Sequence, residues 1–120
     1  MHVTIVSTWF PTEVSAGLGI FVARHAASVI RLPMTPSRPH EVLAARRALG
    51  TLTAGSDIVH THAISTLMPY ALSRPREPWL HTEHWSGLAN GGAALGTIAR
   101  AGAQVVLRLE RRPDVVTTVS

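Results

Sequence analysis

The chain has 120 residues, 46% hydrophobic and 15% charged, so we expect one globular domain and exclude disordered, collagen-like and coiled-coil chains. It contains no cysteine, which excludes disulfides, thiol nucleophiles and cysteine-ligated metals. The net charge is +4 and all 11 cationic side chains are arginines, but aromatic residues are not interleaved with them, so no nucleic-acid partner is expected.

The sequence shows no sign of a membrane span or an export signal. No apolar run reaches the length that crosses a bilayer, and residues Met1–Val6 lack the basic segment of a signal peptide. We therefore expect a soluble, cytoplasmic protein.

The first third of the chain predicts a strand, a glycine loop and a helix. Val3–Thr8 is a β-branched apolar run typical of a buried strand, and a loop with Gly17 and Gly19 follows it. From Ile20 to Ile30 apolar residues recur at helical spacing, which predicts a helix. The proline-rich stretch Leu32–His40 is interpreted as a surface connection.

The rest of the chain alternates helical and strand patterns. Helices are predicted over Glu41–Thr53, Ile64–Leu72 and Ala93–Arg112, and strands over Ser56–His62, Pro78–His84 and Asp114–Ser120. Pro69 should kink the second of these helices or delay its start. Strands separated by helices imply right-handed βαβ units, so we expect an α/β fold with a mainly parallel sheet covered on both faces.

Polar and glycine positions follow the predicted strands. Gly17, Gly19, His62, His84 and Ser120 all fall at carboxyl ends, where parallel sheets bind ligands. Ending on a strand would leave sheet surface bare, so we expect the chain to be incomplete.

The glycine loop has two interpretations that the residues leave open. A strand before Gly17 and Gly19 and a helix after them could place backbone amides against a phosphate, or the loop could be a simple turn. It is not a dinucleotide fingerprint, because Val22 stands where the third glycine would fall.

The histidines suggest an alternative, a metal-dependent hydrolase. His60 and His62 share one face of a strand, and His81, Glu83 and His84 offer further ligands. His81 and His84 are an odd number of residues apart, however, so a continuous strand directs them to opposite faces. The simpler interpretation is a set of buried, hydrogen-bonded imidazoles.

Motifs in this order resemble glycosyltransferase family 4, enzymes of the GT-B fold. The resemblance rests on Val6–Pro11, Gly19–Ala26, Asp57–His62, His81–Ser86 and Pro113–Ser120, and it covers most of the chain. It implies that residues 1–120 are the N-terminal, acceptor-side Rossmann-like domain of an enzyme with two such lobes. The family normally has further strands between Ile30 and Glu41, so the sheet is expected to lack some of them.

The same resemblance implies an activity. Family members transfer a sugar from a nucleotide-sugar to an acceptor with retention of configuration, usually without metal, so no cofactor is expected. The donor-binding lobe and its Glu-x7-Glu pair are absent from the sequence, so the chain alone should be inactive. The alternative is a non-catalytic GT-B-like binding module, or half of a split enzyme.

The family's functional positions can be carried over by resemblance. His84 would be the catalytic residue, bonding a hydroxyl of the donor sugar or the backbone of the reacting site. Gly17 and Gly19 would lie near the donor phosphates and the acceptor. The candidate acceptor contacts are His62, Glu83 and Ser86.

The resemblance also implies partners and a location. The donor would be a nucleotide-sugar held by the missing lobe, and the acceptor a sugar or lipid-linked sugar in cell-envelope polysaccharide biosynthesis. Arg108, Arg111 and Arg112 form a basic cluster on a predicted solvated helix face, so we also expect weak peripheral contact with the inner face of the membrane.

Overall fold

The computed structural model describes residues 1–8, 28–32, 38–84 and 96–118, and a parallel sheet organises them. The strands are β1 (Val3–Ser7), β2 (Ser28–Arg31), β3 (Ile58–His62), β4 (Trp79–Glu83) and β5 (Val115–Thr118). The helices are α1 (Pro39–Leu52), α2 (Ile64–Leu72) and α3 (Thr97–Leu109). The order in the sheet is β2-β1-β3-β4-β5, and all neighbours run parallel. This confirms the α/β class.

The three helices of the described residues pack on one face of the sheet, which we call the covered face. They connect β2 to β3, β3 to β4 and β4 to β5, and each step moves in the same direction across the sheet. Right-handed crossovers in one direction place their helices on one side. The core accordingly combines strand and helix residues, namely Val6, Val59, Trp79, Ala45, Leu49, Leu67, Tyr70, Ala71, Ala103 and Val106, with Leu32.

The chain direction across the sheet reverses at β1. Strand β2 lies on one side of β1 and β3 on the other, so the β1/β3 boundary is a topological switch point. Ligands of open parallel sheets bind outside the carboxyl ends of the strands at such a boundary. The order is that of flavodoxin-like sheets, and also of the order 3-2-1-4-5-6 without its outermost strand.

Two aspartates fix the amino ends of the strands. The carboxylate of Asp114 accepts the backbone N–H of Trp79 at 2.8 Å, and the N–H of Asp114 returns a bond to the carbonyl of Trp79 at 2.9 Å. Asp57 and His2 form the equivalent reciprocal pair before β1. Each aspartate bonds its neighbouring strand in both directions, so the register is set where the strands begin.

The prediction of a helix over Ile20 to Ile30 is wrong for its last residues. Ser28–Arg31 is strand β2, with Val29 beside Ile5 and Ile30 beside Val6. A short apolar run fits either period, and here pairing with the edge of β1 decides the outcome. Residues 20–27 lie outside the described part of the chain.

The other predicted elements are confirmed with shifted ends. The predicted surface connection Leu32–His40 is too long, because Leu32 is buried and α1 begins at Pro39, a residue suited to the first helical turn. Pro69 lies inside α2, which nevertheless begins at Ile64. Among the described helices, none is long and apolar enough to cross a membrane.

Candidate functional site

His62 and His84 meet at the carboxyl edge of the sheet, as their positions after two neighbouring strands predict. His62 is the last residue of β3 and His84 follows β4 directly. Nδ1 of His62 lies 3.2 Å from Nε2 of His84, and the rings stack with centroids 5.5 Å apart. We call the two residues the histidine pair.

The histidine pair has a defined hydrogen-bonding character. Because one ring nitrogen donates to the other, the remaining nitrogens, Nε2 of His62 and Nδ1 of His84, are always one donor and one acceptor when both rings are neutral. Exchange of both tautomers reverses the two roles without changing the total. Hydroxyl groups, each of which can donate or accept, match this pattern when two of them face the pair.

A polar row continues from the histidine pair across the same face, opposite the helices. The ring of His60 lies 4.1 Å from that of His62, centroid to centroid, and its Nε2 contacts Oγ1 of Thr82 at 2.7 Å. Thr82 in turn contacts Oγ1 of Thr117 at 2.7 Å. The row therefore crosses β3, β4 and β5.

These imidazoles are held in the neutral form. Burial lowers the pKa of His62 to about 3, and the neighbouring His60, His84 and His81 lower it further. Burial, with smaller effects of His81 and His84, lowers the pKa of His60 to about 4. The pKa of His84 is also lowered, mainly by burial, although Glu83 opposes the shift. The site therefore offers neutral donors and acceptors at pH 7 rather than positive charge.

The backbone at the switch point is strained. Ala63, between β3 and α2, has φ 63° and ψ 158°, a region that is essentially restricted to glycine. Its N–H donates to the carbonyl of Thr82 at 2.9 Å, and its carbonyl accepts the N–H of Thr66 at 3.1 Å. The hydroxyl of Thr66 also donates to the carbonyl of His62 at 2.7 Å. Strain held in this way is concentrated at functional sites.

The opening of α2 also contacts the end of β1. Oγ of Ser65 and Oγ1 of Thr8 form a hydrogen bond, and Ser65 is buried. A hydroxyl just after β1 and one in the first turn of α2 therefore meet at the switch point.

Not all the candidate site residues come together. Glu83 lies on the covered face, because it alternates with Thr82 and His84 along the chain; its Oε2 lies 3.3 Å from Nε2 of His81. Two of the candidate acceptor contacts, Glu83 and His62, therefore lie on opposite faces of the sheet. Gly17, Gly19, Ser86 and Ser120 lie outside the described residues.

The alternative hydrolase site is divided between the two faces of the sheet. His60, His62 and His84 form one group, while His81 and Glu83 lie on the covered face. The odd spacing between His81 and His84 predicted this separation. Glu110, whose carboxylate lies beside His81 and Glu83, was not among the predicted site residues. It follows α3, far along the chain from β4, and no sequence pattern indicates this contact.

Comparison with protein-family models, curated proteins and solved structures gives no match to this chain. The fold and the edge residues define its class by themselves: an α/β protein with a parallel sheet and neutral histidines at the carboxyl edge.

The strain at Ala63 predicts an unusual response to glycine. Ala63→Gly should cost less stability than Ala45→Gly by about 2–4 kcal/mol, because glycine relieves about 1–3 kcal/mol of strain at Ala63 and costs about 1 kcal/mol of helix propensity at Ala45. Both alanines are buried, with exposed fractions of 3% and 6%, so the lost methyl groups are comparable. Urea unfolding of both variants measures the difference. An equal or larger loss for Ala63→Gly would contradict the strain.

The lowered pKa of His62 predicts a pH dependence of stability. In the folded protein this imidazole stays neutral down to about pH 3, whereas the unfolded residue binds a proton near pH 6.5. The unfolded state therefore binds more protons between these values, and the free energy of unfolding falls as the pH is lowered through them. His62→Gln should reduce that slope.

The matched control is His40→Gln, whose side chain is 80% exposed on α1. Urea midpoints and slopes are compared at several pH values between about 7 and 4 for the wild type and both variants. The expectation fails if His62→Gln and His40→Gln have the same slope.

Proposed function

We propose that this chain is the acceptor-side half of a retaining glycosyltransferase related to family 4, and that the histidine pair bonds sugar hydroxyls. The observation that carries the proposal is the meeting of His62 and His84 beside the switch point, 3.2 Å apart. The motif order from Val6–Pro11 to Pro113–Ser120 supports it.

The charge state of the histidine pair favours a neutral ligand. Because burial lowers the pKa of both imidazoles, neither supplies the positive charge that a phosphate would select. A sugar ring presents several hydroxyls, and two different ones would bond the pair, one accepting from the donor nitrogen and the other donating to the acceptor nitrogen. The diphosphate of the donor would have to be bound elsewhere, in keeping with a second lobe.

In the completed enzyme, the histidine pair would position the reacting sugar. Transfer with an oxocarbenium-like transition state depends on hydrogen bonds that are already oriented when charge develops. The bond between the two rings and the hydrogen bonds that fix Ala63 supply such orientation. His84 acts as donor or acceptor to a hydroxyl in this scheme and forms no covalent bond.

A membrane-facing surface accompanies this function. Arg108, Arg111 and Arg112 are exposed at the end of α3, and Val105, one helical turn before Arg108, is 50% exposed. Basic side chains beside an exposed apolar residue suit the anionic inner surface of a membrane.

His84→Ala should weaken sugar binding about threefold to tenfold, the loss of one hydrogen bond between neutral groups. The probes are methyl α-glucoside, α-mannoside and α-galactoside, titrated into the labelled chain and followed by ¹H–¹⁵N NMR. His40→Ala, an exposed histidine on α1, should leave the affinity unchanged. Equal affinity of the wild type and His84→Ala, or no saturable response to any glycoside, would contradict the proposed site.

An enzyme half and a binding module are distinguished by supplying a donor lobe. The chain is mixed with a separately expressed donor lobe and a nucleotide-sugar, and sugar transfer is measured. Restored transfer that His84→Ala abolishes supports the enzyme half. A stable complex without transfer supports the module.

The basic surface should bind anionic vesicles at low salt. A triple variant of Arg108, Arg111 and Arg112 to Gln should lose co-sedimentation with phosphatidylglycerol vesicles. The control replaces Arg47, Arg74 and Arg76, which are equally exposed, by Gln and so makes the same charge change. Equal binding of both triple variants would show that net charge alone is responsible.

A further inference from the structure

A second cluster of potential ligands lies on the covered face, away from the histidine pair. It comprises His81, Glu83 and Glu110, each offering one ligand atom, and these atoms all lie within 4.8 Å of one another. His81 is fully buried and Glu83 is 4% exposed. We call these residues the covered-face cluster.

The members of this cluster are held by their surroundings. Nδ1 of His81 contacts Oγ1 of Thr61 at 2.8 Å, and Thr61 accepts the indole N–H of Trp79 at 2.8 Å. Oε1 of Glu83 accepts the backbone N–H of His84 at 2.8 Å. Nε2 of His81 and Oε2 of Glu83 therefore both face the cluster. An imidazole whose second nitrogen is hydrogen-bonded is the usual state of a metal-ligating histidine.

The third member brings an unsatisfied carboxylate oxygen. Glu110 caps the end of α3 through its N–H, which donates to the carbonyl of Val106 at 2.9 Å. Within the described part of the chain, its Oε1 is the buried side-chain oxygen that has no hydrogen-bond partner. Leaving such an atom unpaired costs about 1–3 kcal/mol, so a positive group is favoured beside it.

Two carboxylates so close together also repel each other. The ligand oxygens of Glu83 and Glu110 lie within 4.8 Å of each other. Repulsion of this kind is relieved either by a proton on Glu110 or by a bound cation. The imidazole beside the carboxylates selects between types of cation, since magnesium and calcium prefer oxygen ligands alone.

We propose that His81, Glu83 and Glu110 bind a divalent transition-metal ion of the zinc type. Zinc takes one nitrogen and carboxylate oxygens at about 2.0–2.2 Å, which places neighbouring tetrahedral ligands roughly 3.5 Å apart. The observed separations require side-chain adjustments of about 1 Å to reach that geometry. The ion would fasten the end of α3 to β4, so its role is structural, and its ligands are not the residues of the proposed sugar site.

The test uses Zn²⁺ itself, titrated by calorimetry into the chelator-stripped chain at pH 7, with thermal unfolding measured in parallel. One equivalent should bind, and the unfolding temperature should rise with the zinc concentration, because the ion binds the folded state. Glu110→Gln keeps the size of the side chain and should weaken binding at least about tenfold, because it removes a charged ligand. The absence of stoichiometric binding to the wild type would overturn the proposal.

Two further variants secure the assignment. Glu41→Gln, on α1 in an ion pair with Arg38, removes the same charge far from the cluster and should bind zinc like the wild type. His62→Gln should also retain the site. If His62→Gln no longer bound one equivalent of zinc while Glu110→Gln still did, the ion would be bound by the histidine pair. That result would refute the proposal for the covered-face cluster. Glu110→Gln should still bind the methyl glycosides, because this residue is not part of the histidine pair. Loss of zinc binding with retained glycoside binding therefore tests the metal site separately from the sugar site.

Discussion

The register of β4 against β3 is the constraint on which both clusters depend. His62 pairs with Thr82 and Thr61 with His81, so alternate residues of each strand go to opposite faces of the sheet. This alternation brings His62 to His84 on one face and Thr61 to His81 on the other. A slip of β4 by one residue would exchange the side chains of β4 between the faces, moving His84 under the helices and away from His62. The hydrogen bonds of Thr61 with Nε1 of Trp79 and Nδ1 of His81 oppose such a slip, because they join β3 to β4 in a single register.

The covered face tolerates polar residues because it satisfies them locally. Thr61 serves two partners, accepting from Trp79 Nε1 and contacting His81 Nδ1, so a buried indole and a buried imidazole share one hydroxyl. Tyr70 packs edge to face on Trp79, with ring centroids 4.9 Å apart, and its hydroxyl donates to the carboxylate of Glu77 at 3.4 Å. An unpaired polar group here would lose its hydration without compensation. Among the described residues, Oε1 of Glu110 is the exception, because it is buried without a hydrogen-bond partner. A proton on the carboxylate or a bound cation would compensate for the lost hydration.

Much of the fold could be predicted from the sequence. In α1, α2 and the strands after α2, the hydrophobic pattern extends over enough residues to distinguish a helix from a strand. The edge position of His62 and His84 also followed, since both residues directly end strands of a parallel sheet. Strand β2 did not, because Val29 and Ile30 fit helical spacing as well as strand pairing, and only the exposed edge of β1 decides between them. The face of Glu83 could have been read from its alternation with His84. The contact with Glu110 could not, because it depends on where α3 ends above the sheet.

The two clusters are joined through one peptide group. The backbone N–H of His84 donates to Oε1 of Glu83. A member of the histidine pair therefore also orients a carboxylate of the covered-face cluster. A carboxylate that turned to a metal ion through Oε2 could keep this bond through Oε1, because the two oxygens accept independently. Occupation of the covered face would then stiffen the chain at His84 without moving its ring. Since sugar transfer depends on oriented hydrogen bonds, a structural ion on one face of β4 would support the proposed chemistry on the other through the backbone they share.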